Sequence, residues 1–274
     1  MLLNRESMGG VRHGLYVVNS IIAVFLITPI IFIVLLSFGS SPWLAFPPPD
    51  WTLRWYQELF ASPEWLAALL NSLRIAGTVA ILALAIGVPA AFAVVRGRFP
   101  GRDALAVLFA SPLIVPLVII GIALYGLFLK LGMAGTFISF VLCHTVIALP
   151  FPIITTTNAL RGFDENLEKA AIVCGASRLQ ALTRVTLPTI APGIIAGGLF
   201  AFLISWDEVV LAIFMTSSEL QTLPVKMWSA LRLDLSPVIA AAATLMIALT
   251  LVLLAGRALL QWCFGQAPSN SRGD

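Results

Sequence analysis

Long apolar runs alternate with short polar connections along the whole chain. Runs long enough to cross a hydrocarbon core as a helix, which takes roughly 20 residues, occupy Leu15 to Phe38, Ala67 to Val95, Ala104 to Leu129, Gly135 to Thr155, Ile194 to Met215 and Pro237 to Trp262. The pattern predicts six transmembrane helices in a single domain over residues 1–274. These runs are continuously apolar and lack the period-two alternation of membrane barrel strands, so the expected fold class is an all-α membrane protein. The first run is longer than a signal-peptide core and leads into Pro42 without a small-residue cleavage site, which favours a retained helix. The fourth ends indistinctly, at Pro150, Pro152 and the threonines 155–157.

The connections differ in kind. Gly39 to Glu64 carries Pro47, Pro48 and Pro49, which exclude a helix interior, and then Trp51, Trp55, Leu59 and Phe60 at near-helical spacing opposite Arg54 and Glu58. A short interfacial helix with its aromatic residues at headgroup depth accounts for that spacing, and contact with an external partner is the alternative. Arg96 to Asp103 reads as a basic turn that pins two spans to one membrane face and does nothing more specific. Only Lys130 to Ala134 separates the third and fourth runs, so those helices are expected to be antiparallel neighbours. Gln266 to Asp274 reads as a polar tail.

Basic residues set the orientation. Eleven of them, Arg5 and Arg12 through Arg257 and Arg272, fall on one side of the six runs, against five on the other. The basic-rich side is cytoplasmic by the positive-inside rule, which places both termini there, together with the loop at about 158–189.

Composition agrees with the pattern: 59% of the 274 residues are hydrophobic, 11% are charged, and mean hydropathy is +1.00. The net charge of +3 reflects the side bias and gives no reason to invoke nucleic acid. Cys143, Cys174 and Cys263 are odd in number and lack metal-ligand spacing; His13 and His144 are far apart. No metal site is therefore expected, and a lone His144 inside a span reads first as a packing residue. The chain has no Gly-x-Ser-x-Gly elbow and no His-Glu-x-x-His pair, and Asp207 and Glu208 are adjacent rather than facing, so an intramembrane enzyme lacks its parts. It also has no phosphate-binding Gly-x-x-x-x-Gly-Lys-Ser/Thr loop, so any use of ATP belongs to another polypeptide.

Two segments carry candidate function. In the loop at about 158–189, Asp164 is placed to cap a helix whose first turn holds Glu165 and Glu168, and Leu167, Ala170, Ala171 and Cys174 form one apolar stripe that ends at Gly175. An alanine-rich stripe with no aromatic anchor suits a shallow groove on another protein better than a lipid surface. In the fifth run, Asp207 and Glu208 lie deep in apolar sequence, where a carboxylate costs several kcal/mol and so faces a watery path or a partner charge. Read as one continuous helix, the two acids point about 100° apart, with Glu208 on the stripe of Ala201, Ser205 and Ala212 and Asp207 on that of Phe200, Leu203, Val210 and Phe214. Two carboxylates near Trp206 and Phe214 suit a cation with an apolar stem. Upstream, Gly193, Gly197, Ala201 and Ser205 recur every four residues, a face for close helix approach.

The loop resembles the coupling segment of type I ABC importer permeases, whose signature is Glu-Ala-Ala, three residues, Gly, and then Leu-Pro, the proline thirteen residues past the glycine. Here Ala170, Ala171, Gly175, Leu187 and Pro188 match; Lys169 stands in the motif's Glu position and Glu168 one residue earlier. Ser205 to Val210, Gln221 to Trp228 and Asn71 to Ala76 are similar to the spermidine/putrescine branch. The resemblance implies a six-helix permease subunit of the inner membrane that imports a polyamine. It also implies a second homologous permease, two copies of an ABC ATPase that hold the ATP and Mg, and a periplasmic substrate-binding protein, with no cofactor in this chain. Leu167, Glu168, Lys169, Ala170, Ala171, Gly175, Leu187 and Pro188 are the implied ATPase-coupling residues; Asp207, Glu208, Trp206 and Phe214 are the candidate substrate path. Import of another small solute, or a carrier that uses no ATP, are the alternatives.

Overall fold

The computed structural model describes the backbone of residues 9–233 and 236–264, with side chains over 14–233 and 236–259. Arg5, Arg272 and the tail from Gln266 lie outside the described residues, as do the side chains of Arg12, His13 and Cys263. The described backbone is helical apart from its connections and one isolated β-bridge, Gly39 to Trp51. The described residues divide into two compact units, one within the ranges 1–62 and 229–248 and the other within 63–228 and 249–274.

In the first unit, α1 (Gly9–Ser37) presents its apolar side chains almost entirely outward. A helix that is apolar all round and unburied is matched to lipid. After it, α2 (Arg54–Ala61) folds back: Trp55 and Leu59 are buried, the Trp55 indole N–H donates to the Gly39 carbonyl at 2.6 Å, and the Tyr56 and Ser37 hydroxyls meet at 2.7 Å. The expected aromatic stripe is therefore split. Trp55 holds the connection together, while Trp51 (64% exposed) and Phe60 stay outside.

The second unit is built around α3 (Pro63–Arg96), the successive helices α6 (Phe137–Ala148) and α7 (Pro150–Arg161), and α10 (Leu187–Trp206). Small residues let these helices approach. The Gly197 Cα faces Pro152 and Thr155 of α7, Gly193 faces Ala159, and Gly198 sits under Leu84 of α3, each so closely that an added Cβ would collide. Ala201 and Ser205 continue that face and are buried, so the four-residue spacing does mark a packing seam. Ile75, Val79, Phe140, Ile147 and Leu211 fill the core beside it.

Four described helices are long and apolar enough to cross a membrane, and up to six spans result if each of two bent pairs is one span. The third expected run does not form a straight helix. It breaks into α4 (Arg102–Ala110), a 3-10 turn at Ser111–Leu113, and α5 (Leu117–Lys130), bent by 101°. Pro112 and Pro116 explain the break, since each removes an N–H and Pro116 disfavours helix at the residue before it. The fourth bends by only 41° between Ala148 and Pro150. The fifth starts earlier than expected, through α9 (Arg178–Ala181) and a π-helical turn at Leu182–Thr186, and it ends at Trp206, before the acids.

Candidate functional site

The connection between α7 and α10 is folded throughout. Its helix α8 (Glu165–Val173) begins as local chemistry dictates: the Asp164 carboxylate accepts the Asn166 N–H at 2.9 Å, and Glu165 and Glu168 sit where the helix dipole favours negative charge. It ends in a Schellman closure, with the Ala176 N–H on the Ala171 carbonyl at 3.0 Å and the Gly175 N–H on that of Ile172 at 2.9 Å. Gly175 has φ +95°, a conformation that costs an L side chain and leaves glycine free. A capping box between Ser177 and Gln180 then starts α9.

No residue of α8 is buried within this chain. Leu167 is 50% exposed and Val173 87%; Ala170 and Cys174 are exposed and Ala171 half-buried. Leu187 and Pro188 open α10 behind it. The structure thus gathers the matching motif positions on one capped, outward-facing element and its return helix.

Glu168 does not face outward with them. Its carboxylate meets the Arg96 guanidinium at 2.9 Å and accepts the buried Thr186 hydroxyl at 2.7 Å. The Arg96 guanidinium in turn lies over the rings of Phe92 and Phe163, 5.3 and 5.9 Å from their centroids. Three elements meet at one carboxylate: the end of α3, helix α8 and the π-helical turn. The reading of Arg96 to Asp103 as a plain turn missed this, because no local pattern links Arg96 to an acid so far along the chain. Burial alone would raise the Glu168 carboxyl, but the Thr186 hydroxyl and the Arg96 charge outweigh it and hold the group below the ordinary carboxylate range. A depressed folded value means stability present above the unfolded value and lost as pH falls through the folded one. Protection of the amides from Glu165 to Val173 against hydrogen exchange, taken relative to the intrinsic rate at each pH, is therefore expected to be high at neutral pH and to fall below about pH 4.3, the ordinary carboxylate value. The Glu168→Gln variant should show low protection at every pH; protection in the wild type that does not change across that range would remove the ion pair as the tether.

The acidic pair lies in a break, not on a helix. Residues 207–209 separate Trp206 from α11 (Val210–Met215), so the 100° divergence expected for one continuous helix does not apply. Glu208 is 8% exposed, and its carboxylate accepts the Leu211 N–H at 2.8 Å, capping the start of α11. Asp207 ends α10 with its side chain exposed. Trp206 is buried beside Phe202 at a centroid distance of 6.0 Å, and half-buried Phe214 packs onto Gly121 of α5. Of the four residues, Asp207 is the one open to solvent or solute. His144 of α6, which the sequence reads as a packing residue, is fully buried, with Nδ1 2.9 Å from the Ser205 hydroxyl and no partner on Nε2 among the described residues.

Two of the sequence segments singled out above are joined. The Ser72 hydroxyl accepts the Leu223 N–H at 2.8 Å, starting α12 (Leu223–Leu233), and the Asn71 amide donates to the Gln221 carbonyl at 3.2 Å. Lys226 forms an ion pair with Glu64 and lies 5.8 Å from the Trp65 ring centroid.

Comparison with known proteins fits this geometry. Over 257 residues the chain is 32% identical to the spermidine/putrescine transport system permease protein PotC of Escherichia coli K12, covering 92% of this chain and 93% of that one. Over 230 residues it is 35% identical to the putrescine transport system permease protein PotI of the same strain, covering 81% and 82%. Its fold matches that of a bacterial ABC transporter for import of the acidic polysaccharide alginate, with TM-score 0.69, 17% identity, and 96% and 99% of the two chains covered. Residues 83–262, which include the break at 207–209 and all of α8, match the model of the binding-protein-dependent transport system inner membrane component. The chain belongs to that family of inner-membrane permeases.

Proposed function

We propose that this chain is one of two permease subunits that together import a polyamine, a spermidine- or putrescine-like cation, and that α8 is seated in a separate ATPase. Two ATPase copies, which hold the ATP and Mg, and a periplasmic binding protein complete the transporter. Both termini and α8 lie on the cytoplasmic side, where the basic residues concentrate. The relatives named for spermidine and putrescine transport support the substrate class, and the solved alginate system in complex with its periplasmic protein is a precedent for the external partner.

The observation that carries the reading is the state of α8: capped at both ends, tied by Glu168 to α3 and to the turn before α10, yet with none of its own residues buried. A helix held this firmly at its flank and left apolar on its face is built to be gripped. Closure of the ATPases would then move α8, and through its ties the ends of α3 and α10, opening the path outward by alternating access. In that cycle Asp207, the exposed neighbour of the buried Trp206 and Glu208, is the group placed to meet a passing ammonium.

The test is Ala171→Trp. This half-buried position on the α8 face leaves membrane insertion unaffected, and the variant is expected to lose ATPase co-purification and substrate-dependent ATP hydrolysis by at least tenfold. Full uptake by Ala171→Trp would exclude the docking role. A carrier that needed no ATPase would transport equally well without one.

A further inference from the structure

Beside α8, the turn that follows α3 forms the second wall of a recess of about 400 Å³. Six charged residues line it: Arg96, Arg98, Arg102 and Lys169 against Glu165 and Glu168. Arg96 is taken by Glu168 at 2.9 Å, and Arg102 is drawn to its neighbour Asp103 at 3.1 Å. The side chains of Arg98 and Lys169 have no acceptor among the described residues. Lys169 stands where the family signature has its glutamate, and the acid one residue earlier is turned inward onto Arg96 and Thr186.

We infer that the docking face of this subunit is electrostatically basic, and that the recess beside α8 receives a carboxylate side chain from the ATPase surface. The signature's acid would call for a basic group on the ATPase; here the polarity is reversed. This rests on the proposal that α8 is seated in an ATPase, and adds the chemistry of the surface that grips it. Three observations converge. Glu168, the acid beside the signature position, is consumed internally and offers the partner no charge, which leaves the exposed Glu165 outnumbered in the recess by Arg98 and Lys169. The free cations are on both walls of one recess, Lys169 on the helix and Arg98 on the turn, as a shared acceptor requires. The recess is continuous with the exposed α8 face through Lys169 and Ile172, so whatever covers that face also covers the recess. An anionic lipid headgroup offers similar chemistry, but α8 has no large aromatic anchor to hold it at a lipid surface.

The experiment is association of the purified ATPase with the permease pair in nanodiscs of phosphatidylcholine, which carry no net lipid charge, measured from low to high salt. Lys169→Glu is expected to weaken association at least tenfold at about 50 mM salt, with Arg98→Glu close behind. The gap should close towards 1 M salt, where the screening length falls to about 3 Å. Lys169→Met, which keeps the stem and removes the charge, should lie between wild type and Lys169→Glu. Unchanged or tighter binding by Lys169→Glu would overturn the polarity while leaving the docking reading intact, provided Ala171→Trp still abolishes association. An effect seen only after anionic lipid is added would overturn it in favour of a headgroup site. Failure of the wild-type pair to bind any ATPase would remove both readings together.

Discussion

Gly197→Leu is expected to leave no assembled transporter in the membrane. A Cβ at this position would collide with the Thr155 hydroxyl and lie 2.6 Å from the Pro152 Cα. The second contact decides the matter, because backbone at a proline in a packed helix has nowhere to go. Overpacking ordinarily costs about 1–3 kcal/mol where side chains can shift; here the seam between α7 and α10 must open instead. That seam also carries the return from α8, so the loss should reach ATPase coupling as well as stability. Gly77→Ala is the control. Among the described residues nothing beyond the helix's own backbone and the adjoining residues lies within 4 Å of a Cβ there, and replacing a mid-helix glycine by alanine favours the helix by up to about 1 kcal/mol. Size-exclusion profiles in detergent, read with the amount of co-purified partner permease, separate the two. A monodisperse, active Gly197→Leu protein would mean that α7 and α10 do not meet at this contact.

The same seam illustrates what the sequence makes legible. Glycines and small residues every four positions on α10 are a local record of close approach, and the structure puts Gly193, Gly197, Ala201 and Ser205 on that face. Helix α8 is legible for a related reason. Asp164, the two glutamates of its first turn, the alanine stripe and Gly175 each act within a few residues of their own position, so their meaning survives without tertiary context. Hydropathy, by contrast, reports that a segment suits lipid and says nothing of whether it is straight. Pro112 and Pro116 stand inside the third run, yet its apolar character never lapses across them and hydropathy alone predicts one span; the 101° bend follows from their missing N–H groups. The fifth run hid its break in the same way. An acid two or three residues before an apolar helix is a capping signal, and Glu208, which hydropathy alone presents as a buried charge on a helix, is the acceptor that starts the next one. The clamp of Arg96, Glu168 and Thr186 had no local trace at all: it joins three elements distant in sequence, each polar residue unremarkable in its own neighbourhood.

The break at residues 207–209 gives the two acids different expected phenotypes, and substituting them separates scaffold from path. Glu208→Ala removes the acceptor of the buried Leu211 N–H. An unsatisfied buried donor costs about 1–3 kcal/mol, so α11 should lose its start and the complex should be recovered in reduced amount. Glu208→Gln retains an oxygen at the same reach and is expected to restore assembly. Asp207, exposed at the end of α10, supports no such bond, and Asp207→Asn should assemble like wild type. If a polycation passes the break, removing this exposed charge lowers uptake by about tenfold or more, since an ammonium ion loses a charge-assisted partner worth about 1.5–3 kcal/mol. Uptake normalised to the amount of intact complex is the decisive measurement. Loss in Glu208→Gln with full uptake in Asp207→Asn would move the path to Glu208 and make its capping bond part of the gate. Full normalised uptake in both would reduce the acid pair to scaffold, and the recognition of a cation would then have to be sought in the second permease proposed above.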